Sequence, residues 1–125
     1  MFIKKCILCY GLEEEEISKF KELGFNVKII EKSMAEVKVK DIINGINTDN
    51  NNTDLPKEKV ILFNGYDNKM LKPAINKARQ LVPGCILAVV TPISKTWKFK
   101  DLLEHLIKER EWANSNKKGW FFWVE

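Results

Sequence analysis

The most reactive side chains of this sequence belong to three cysteines and a single histidine. Cys6 and Cys9 have the spacing of a redox Cys-x-x-Cys motif, whose chemistry needs the first thiol at the N-terminus of a helix. The run around them is apolar and predicts a β-strand, in which positions i and i+3 point to opposite faces of the sheet. We therefore interpret Cys6, Cys9 and Cys85 as buried structural residues in a reducing compartment, which predicts a cytoplasmic protein.

The histidine belongs to a row of titratable groups on the last predicted helix. Asp101, His105 and Glu109 recur at i, i+4 and i+8 and therefore share one helix face. That face lies opposite Leu102 and Leu106, so we interpret it as a solvated row of charges. No further metal ligand and no nucleophile–base pair of recognisable spacing accompanies it. The sequence therefore predicts no metal, no cofactor and no catalytic residue, and it leans against an enzyme.

Apolar runs alternate with helical patterns along the chain. The predicted strands cover residues 3–10, 25–31, 59–64 and 85–90, and the predicted helices cover residues 12–23, 33–46, 67–81 and 94–114. The third and fourth strands are apolar throughout, which is typical of strands covered on both faces. The alternation predicts a three-layer α/β fold with a mostly parallel four-stranded sheet in the flavodoxin-like order 2-1-3-4. We identify no internal repeat.

Two segments depart from this alternation within a chain of 125 residues that otherwise predicts a single α/β domain over residues 1–125. Residues 47–57 are rich in asparagine and aspartate and predict a mobile loop without the glycine and final glutamate of a calcium site. Residues 119–125 form an aromatic tail that predicts either an extra C-terminal strand or a homodimer contact. No apolar run reaches the ~20 residues of a membrane span, and we find no signal-peptide pattern.

Ligands of open α/β sheets bind beyond the carboxyl ends of the strands, where the strand order reverses. In the predicted sheet this edge gathers aromatic, amide, hydroxyl and glycine residues. The predicted ligand-binding residues are Tyr10, Gly11, Asn64, Gly65, Tyr66, Thr91, Pro92 and Trp97. Such a set suits a small-molecule pocket. The alternative is that the same residues shape turns and pack on the edge of the sheet.

Charge indicates where a negative ligand would bind at that edge. Residues 13–16 are all glutamate at the start of the first helix, which disfavours a phosphate there. The last helix opens with hydroxyl and lysine side chains, and the predicted anion-binding residues are Ser94, Lys95, Thr96 and Lys98. The net charge is +4 and the basic residues concentrate in the second half. Single-stranded nucleic acid is therefore a further alternative, although it is not the expected partner.

The chain from the third strand onward is similar to a known family. The residues that carry the similarity are the run Val60–Asp67, the pair Thr91-Pro92 and Trp97, followed by the amphipathic last helix. Over residues 58–110 the sequence resembles a small bacterial group, domain-of-unknown-function family 3783. Members of that family tend to carry an asparagine where Ser94 or Lys95 stands here. The resemblance implies the α/β fold and the edge site, and it implies no reaction.

These observations leave two main functions open. The first is a non-catalytic module that binds a small molecule or a protein partner at the carboxyl edge of the sheet. The second is an enzyme of unnamed class that uses Tyr66, Asn64 and Thr91 as hydrogen-bonding groups at the same edge.

Overall fold

The computed structural model describes residues 5–45 and 55–115, with side chains described up to residue 111. In chain order the elements are β1 (Cys6–Tyr10), α1 (Glu14–Glu22), β2 (Val27–Ile30), α2 (Val39–Ile43), β3 (Val60–Asn64), α3 (Asn68–Leu81), β4 (Ile86–Val89) and α4 (Phe99–Ser115). Short 3₁₀ helices at Lys32–Met34 and Ser94–Thr96 precede α2 and α4. Within these ranges no helix combines the length and the apolar character that crossing a membrane would require.

The four strands form one sheet in the order β2-β1-β3-β4, which confirms the predicted strand order and the α/β class. The pairs β1–β2 and β3–β4 are parallel, whereas β1 and β3 are antiparallel. The prediction of a mostly parallel sheet was therefore wrong. A parallel β1–β3 pair would need a crossover that returns the chain to the starting end of the sheet. Instead Val60 begins β3 beside Tyr10, where β1 ends.

The sheet is built from two copies of one motif, contrary to the expectation of no internal repeat. Each half of the chain runs strand, helix, strand, 3₁₀ helix, helix. The first strands of the two halves are similar: residues 6–11 read Cys-Ile-Leu-Cys-Tyr-Gly, and residues 60–65 read Val-Ile-Leu-Phe-Asn-Gly. The starts of the last helices are similar too: residues 37–43 read Val-Lys-Val-Lys-Asp-Ile-Ile, and residues 97–103 read Trp-Lys-Phe-Lys-Asp-Leu-Leu. The unequal lengths of α1, with 9 residues, and α3, with 14 residues, break the register between these similar segments and hide the repeat.

A pseudo-two-fold axis relates the two repeats. At the centre of the antiparallel ladder Leu8 pairs with Leu62, its own equivalent in the other repeat. A second antiparallel contact joins Lys38 to its equivalent Lys98. Around it the N–H of Val39 donates to the carbonyl of Trp97 and the N–H of Phe99 donates to the carbonyl of Val37, both at 3.0 Å. The chain therefore folds as an internal pseudo-dimer.

This second contact corrects the predicted helix over residues 33–46. The chain is extended at Lys38, because its backbone pairs across the axis there, so only the 3₁₀ helix and the five-residue α2 form on either side. Apolar side chains at residues 37, 39, 42 and 43 are nevertheless buried. The apolar pattern of this segment thus reflects burial and not the length of the helix.

Two apolar cores cover the two faces of the sheet. One core joins the sheet to α2 and α4, with Phe99 and Leu103 among its fully buried members. The other joins the sheet to α1 and α3 around Phe20 and Phe63. Most of the predicted loop 47–57 and all of the aromatic tail 119–125 lie outside the described residues, so the extra strand and the homodimer contact stay predictions.

Candidate functional site

The antiparallel β1–β3 pair divides the predicted site between two ends of the sheet. At the first edge, β1 and β2 end and β3 and β4 begin, so Tyr10 and Gly11 lie there. At the second edge, β3 and β4 end, and this edge holds Asn64, Gly65 and Thr91. The expectation that all these residues meet at one edge was wrong, because it required β1 and β3 to run in the same direction.

A cavity of about 570 Å³ opens at the first edge. Its lining residues come from the ends of β1 and β2, from the segment before β3 and from the turn before β4: Tyr10, Gly11, Ile30, Glu31, Lys32, Lys57, Glu58, Lys59, Pro83 and Gly84. We call it the first-edge cavity. The volume falls within the range of natural small-molecule sites.

The wall of the first-edge cavity depends on Gly11. Its φ of +78° is a left-handed conformation that favours glycine, and a Cβ at this position would collide with the carbonyl oxygen of Glu58. Beside it the hydroxyl of Tyr10 donates a 2.9 Å hydrogen bond to the carbonyl of Pro56, and burial raises the pKa of that phenol. The strand end and residues 56–58 are thus held together as one surface.

Two ion pairs fix charged residues around this surface. Arg110 of α4 holds the Glu58 carboxylate through two hydrogen bonds of 2.7 and 2.6 Å, and these bonds raise the pKa of the guanidinium. Lys59 donates to Glu16 of α1 at 3.0 Å, which raises the pKa of the ammonium. Each pair ties the start of β3 to a helix on a different face of the sheet. Sequence reasoning did not identify Glu58 or Arg110, since their spacing along the chain carries no local signal.

At the second edge the predicted polar residues are buried or form hydrogen bonds with neighbouring residues of the same turn. Asn64 is 2% exposed, and its amide lies 4.0 Å from the sulfur of Cys6. Thr91 and Ser94 bond reciprocally: the Thr91 N–H donates to the Ser94 hydroxyl at 2.8 Å, and the Ser94 N–H donates to the Thr91 hydroxyl at 3.1 Å. Gly65, with φ +79°, and Pro92 shape exposed turns beside them.

Tyr66 and Trp97 lie on opposite faces of the sheet. Tyr66 packs edge-on to Phe63 at 5.7 Å, and the Lys5 ammonium lies 5.4 Å from the centre of its ring. It lines a second cavity of about 390 Å³ between α1 and α3. Trp97 belongs to the other core, where it is half-buried and packs edge-on to His105 at 5.2 Å. Trp97 and Tyr66, both predicted to bind one ligand, therefore do not lie side by side.

The predicted anion-binding residues are largely engaged with other groups. The Ser94 side chain is buried, and the Thr96 hydroxyl donates to the carbonyl of Ile93 at 2.7 Å. Lys98 donates to Glu36 at 2.9 Å, and Lys95 is partly buried. The first N–H groups of α4 donate to carbonyls of residues 35 and 37, so the helix terminus does not present them to a ligand. Anion binding by these four residues as a set stays a prediction.

The three cysteines lie in the two cores, and the single histidine is paired on a helix. All three cysteines are buried and free of disulfides. Burial raises the pKa of the Cys9 thiol to about 12 and that of the Cys85 thiol to about 11. His105 pairs with Glu109 at 2.7 Å on a half-exposed helix face. Within the described ranges no cluster of metal-ligating side chains occurs.

Residues 59–113 match the family model described as Domain of unknown function (DUF3783), which confirms the family resemblance seen in the sequence. The match begins just before β3 and ends within α4, so it covers the second repeat and not the first. No curated protein and no solved structure matches the chain.

Proposed function

We propose that this protein is a non-catalytic cytoplasmic module that binds a small molecule with an acidic group in the first-edge cavity. The observation that supports it is the position of this cavity of about 570 Å³ at the carboxyl ends of the parallel strands β1 and β2. Carboxyl ends of parallel strands are the usual ligand position in α/β sheets, and the size suits a small molecule.

The charges of the lining favour an acidic ligand. Glu58 and Lys59 are already paired with residues outside the cavity. Among the described residues no ion pair involves Lys32, Lys57 or Glu31, which also line it. The ammonium groups of Lys32 and Lys57 outnumber the carboxylate of Glu31, so this surface has a net positive charge. A carboxylate or phosphate group of a ligand would neutralise it.

The enzyme alternative has weaker support in the same geometry. Asn64 is buried, Thr91 is bonded to Ser94, and Tyr66 lies on the side of α1 and α3. These three groups therefore do not converge on one substrate position. The raised pKa values of Cys9 and Cys85 keep both thiols protonated near neutral pH, which disfavours thiolate chemistry.

A thermal-shift screen with small carboxylates and sugar phosphates tests the proposal, because a ligand of the folded state raises Tm by mass action. For each ligand that raises Tm, calorimetric titration of Lys32→Gln and Lys57→Gln should show a Kd about five- to tenfold weaker than in the parent. Lys19→Gln, on the exposed face of α1, is the matched control and should leave Kd unchanged. A ligand whose Kd is the same in both cavity variants would place binding elsewhere, and a screen in which no compound raises Tm would also contradict the proposal.

A second candidate is a protein partner at the 390 Å³ cavity beside Tyr66. Leu23 and Met70 line it with exposed fractions of 52% and 44%, which is unusual for large apolar side chains on one surface. Lys5 and Lys77 stand at the same cavity, so an apolar segment with acidic residues would fit it. A peptide of alternating leucine and glutamate should shift the NMR resonances of Met70 and Leu23, and Met70→Glu should abolish the shift of Leu23. Unchanged Met70 resonances at saturating peptide would exclude this candidate.

A further inference from the structure

One carboxylate near the pseudo-two-fold axis holds two lysines of the other repeat. Oε1 of Glu36 accepts a hydrogen bond from Lys98 at 2.9 Å, and Oε2 lies 2.5 Å from Nζ of Lys100. Hydrogen bonds from Lys100 and Lys98 lower the pKa of the Glu36 carboxyl, and the bond with Glu36 raises the pKa of Lys100. Two lysines spaced in this way therefore form a position for one oxyanion, and Glu36 fills it.

The equivalent position across the axis has the lysines but lacks the carboxylate. The equivalents of Glu36, Lys98 and Lys100 in the other repeat are Thr96, Lys38 and Lys40, in that order. The backbone contact between Lys38 and Lys98, with the paired hydrogen bonds on either side of it, relates the two positions by the pseudo-two-fold axis. Threonine carries no charge, and among the described residues no ion pair involves Lys38 or Lys40.

A shallow cavity of about 440 Å³ lies beside Thr96 and Lys38, and Lys40 is not part of its lining. Its lining residues are Lys38, Thr96, Trp97, Lys98 and Asp101. Trp97 is half-exposed, whereas its equivalent Val37 is buried, so the indole adds an aromatic wall that the other side of the axis lacks. Compared with the position that Glu36 fills, this position therefore has no carboxylate and has a partly exposed aromatic ring beside it.

We propose that Lys38 and Lys40 bind the carboxylate of a small aromatic acid, as Lys98 and Lys100 bind Glu36, with the aromatic ring of the ligand against Trp97. Asp101 lines the cavity and adds one negative charge to it, so one negative charge on the ligand balances Lys38 and Lys40 better than the two charges of a phosphate monoester. An aromatic ring on the ligand gains contact area and a favourable edge or stacked arrangement with the indole. The site shares no lining residue with the first-edge cavity and does not depend on the function proposed there.

Substitution of Thr96 gives the sharpest test, with benzoate as the probe. Thr96→Glu should restore the internal carboxylate between Lys38 and Lys40 and weaken benzoate binding by about tenfold or more, as measured by NMR titration of the Trp97 indole N–H. Thr96→Gln, which has the same shape and no charge, should bind within about twofold of the parent. Equal benzoate affinity in Thr96→Glu, Thr96→Gln and the parent would overturn the proposal.

The reverse substitution provides an independent test. Glu36→Thr should free Lys98 and Lys100 and create a second, weaker position for a carboxylate, since Val37 stands there in place of Trp97; benzoate and acetate should both give new saturable shifts of the Lys98 and Lys100 amides. In the parent, benzoate should bind more tightly than acetate and than phenyl phosphate, whereas benzamide should not bind. Absence of saturable Trp97 shifts in the parent up to ~10 mM benzoate overturns the proposal. Lys57→Gln should leave the benzoate titration unchanged, which separates this site from the first-edge cavity.

Discussion

The three cysteines, which look reactive in the sequence, are buried, and a residue without a side chain decides the shape of the first-edge cavity. The thiols of Cys9 and Cys85 lie in the core between the sheet and the helices α1 and α3. Gly11, in contrast, allows the backbone of residues 58–59 to approach the end of β1. Burial disfavours the charged form of a thiol, and close backbone approach excludes a Cβ. At the scale of single residues, steric and solvation effects therefore outweigh the chemical character that the sequence suggests.

We predict that Gly11→Ala will lower the free energy of unfolding by roughly 2–4 kcal/mol, because left-handed strain adds to a collision with the Glu58 carbonyl. Gly24→Ala is the matched control: its φ is also positive, at +91°, but nothing lies within 4 Å of the added methyl. It should cost about 1 kcal/mol, from backbone strain alone. Chemical denaturation of both variants measures the difference, and equal losses would show that the close approach to Glu58 is not tight.

A second residue-scale prediction concerns pH. The pKa of Cys9 rises from 9.0 to about 12 on folding, so above pH 9 the unfolded state loses a proton that the folded state retains. Stability is therefore complete below pH 9 and should fall toward pH 12, by up to about 1.4 kcal/mol per pH unit for this thiol. Urea denaturation at pH 8 and pH 10 should show the fall, and Cys9→Ala should show a smaller one. An identical pH dependence in Cys9→Ala would mean that other groups carry it.

At the scale of elements, the sequence was informative wherever local pattern determines structure. It predicted all four strands, the order of the sheet and the helix α3, at whose start the side chain of Asp67 accepts a hydrogen bond from the N–H of Met70. It did not predict the direction of β3, because a continuous apolar run indicates only that both faces of a strand are covered, and helices cover both faces of this antiparallel pair too. The split of the candidate site between two edges follows from that single direction. The pairing at Lys38 that shortens α2 was equally invisible, since it depends on a segment far along the chain.

We predict that Arg110→Lys will destabilise the attachment of α4 to the start of β3 by about 1 kcal/mol, because a lysine cannot form the two parallel hydrogen bonds to Glu58. The pair is largely shielded, with side-chain exposures of 21% and 26%. Lys108→Ala is the control, since the Lys108–Glu104 pair is mostly exposed and should contribute little. Thermal denaturation of both variants is the measurement. A loss for Lys108→Ala as large as that for Arg110→Lys would contradict this assignment of strength.

At the scale of the whole molecule, two repeats share one sheet and neither core belongs to one repeat alone. The core on the α2 and α4 side takes residues from both halves, and so does the core on the α1 and α3 side. Positions related by the pseudo-two-fold axis have similar surroundings and are expected to carry similar residues. A difference between two equivalent positions therefore marks a place where the repeats differ in their role. Glu36 and Thr96 differ in charge, and Val37 and Trp97 differ in size and exposure. These departures from symmetry are where a binding role is most easily tested.

This shared architecture predicts that the two repeats unfold together. Leu8 and Leu62 pair at the axis and are both buried, so Leu8→Ala and Leu62→Ala should each cost about 2–5 kcal/mol and differ by less than about 1 kcal/mol. Leu23→Ala, at a position that is 52% exposed, should cost far less. In each variant, hydrogen exchange of the β2 and β4 amides should report the same free energy of opening, because loss of the central ladder exposes both halves. If the free energy of opening fell only for the strand of the mutated repeat, β2 in Leu8→Ala and β4 in Leu62→Ala, the halves would instead be independent folding units.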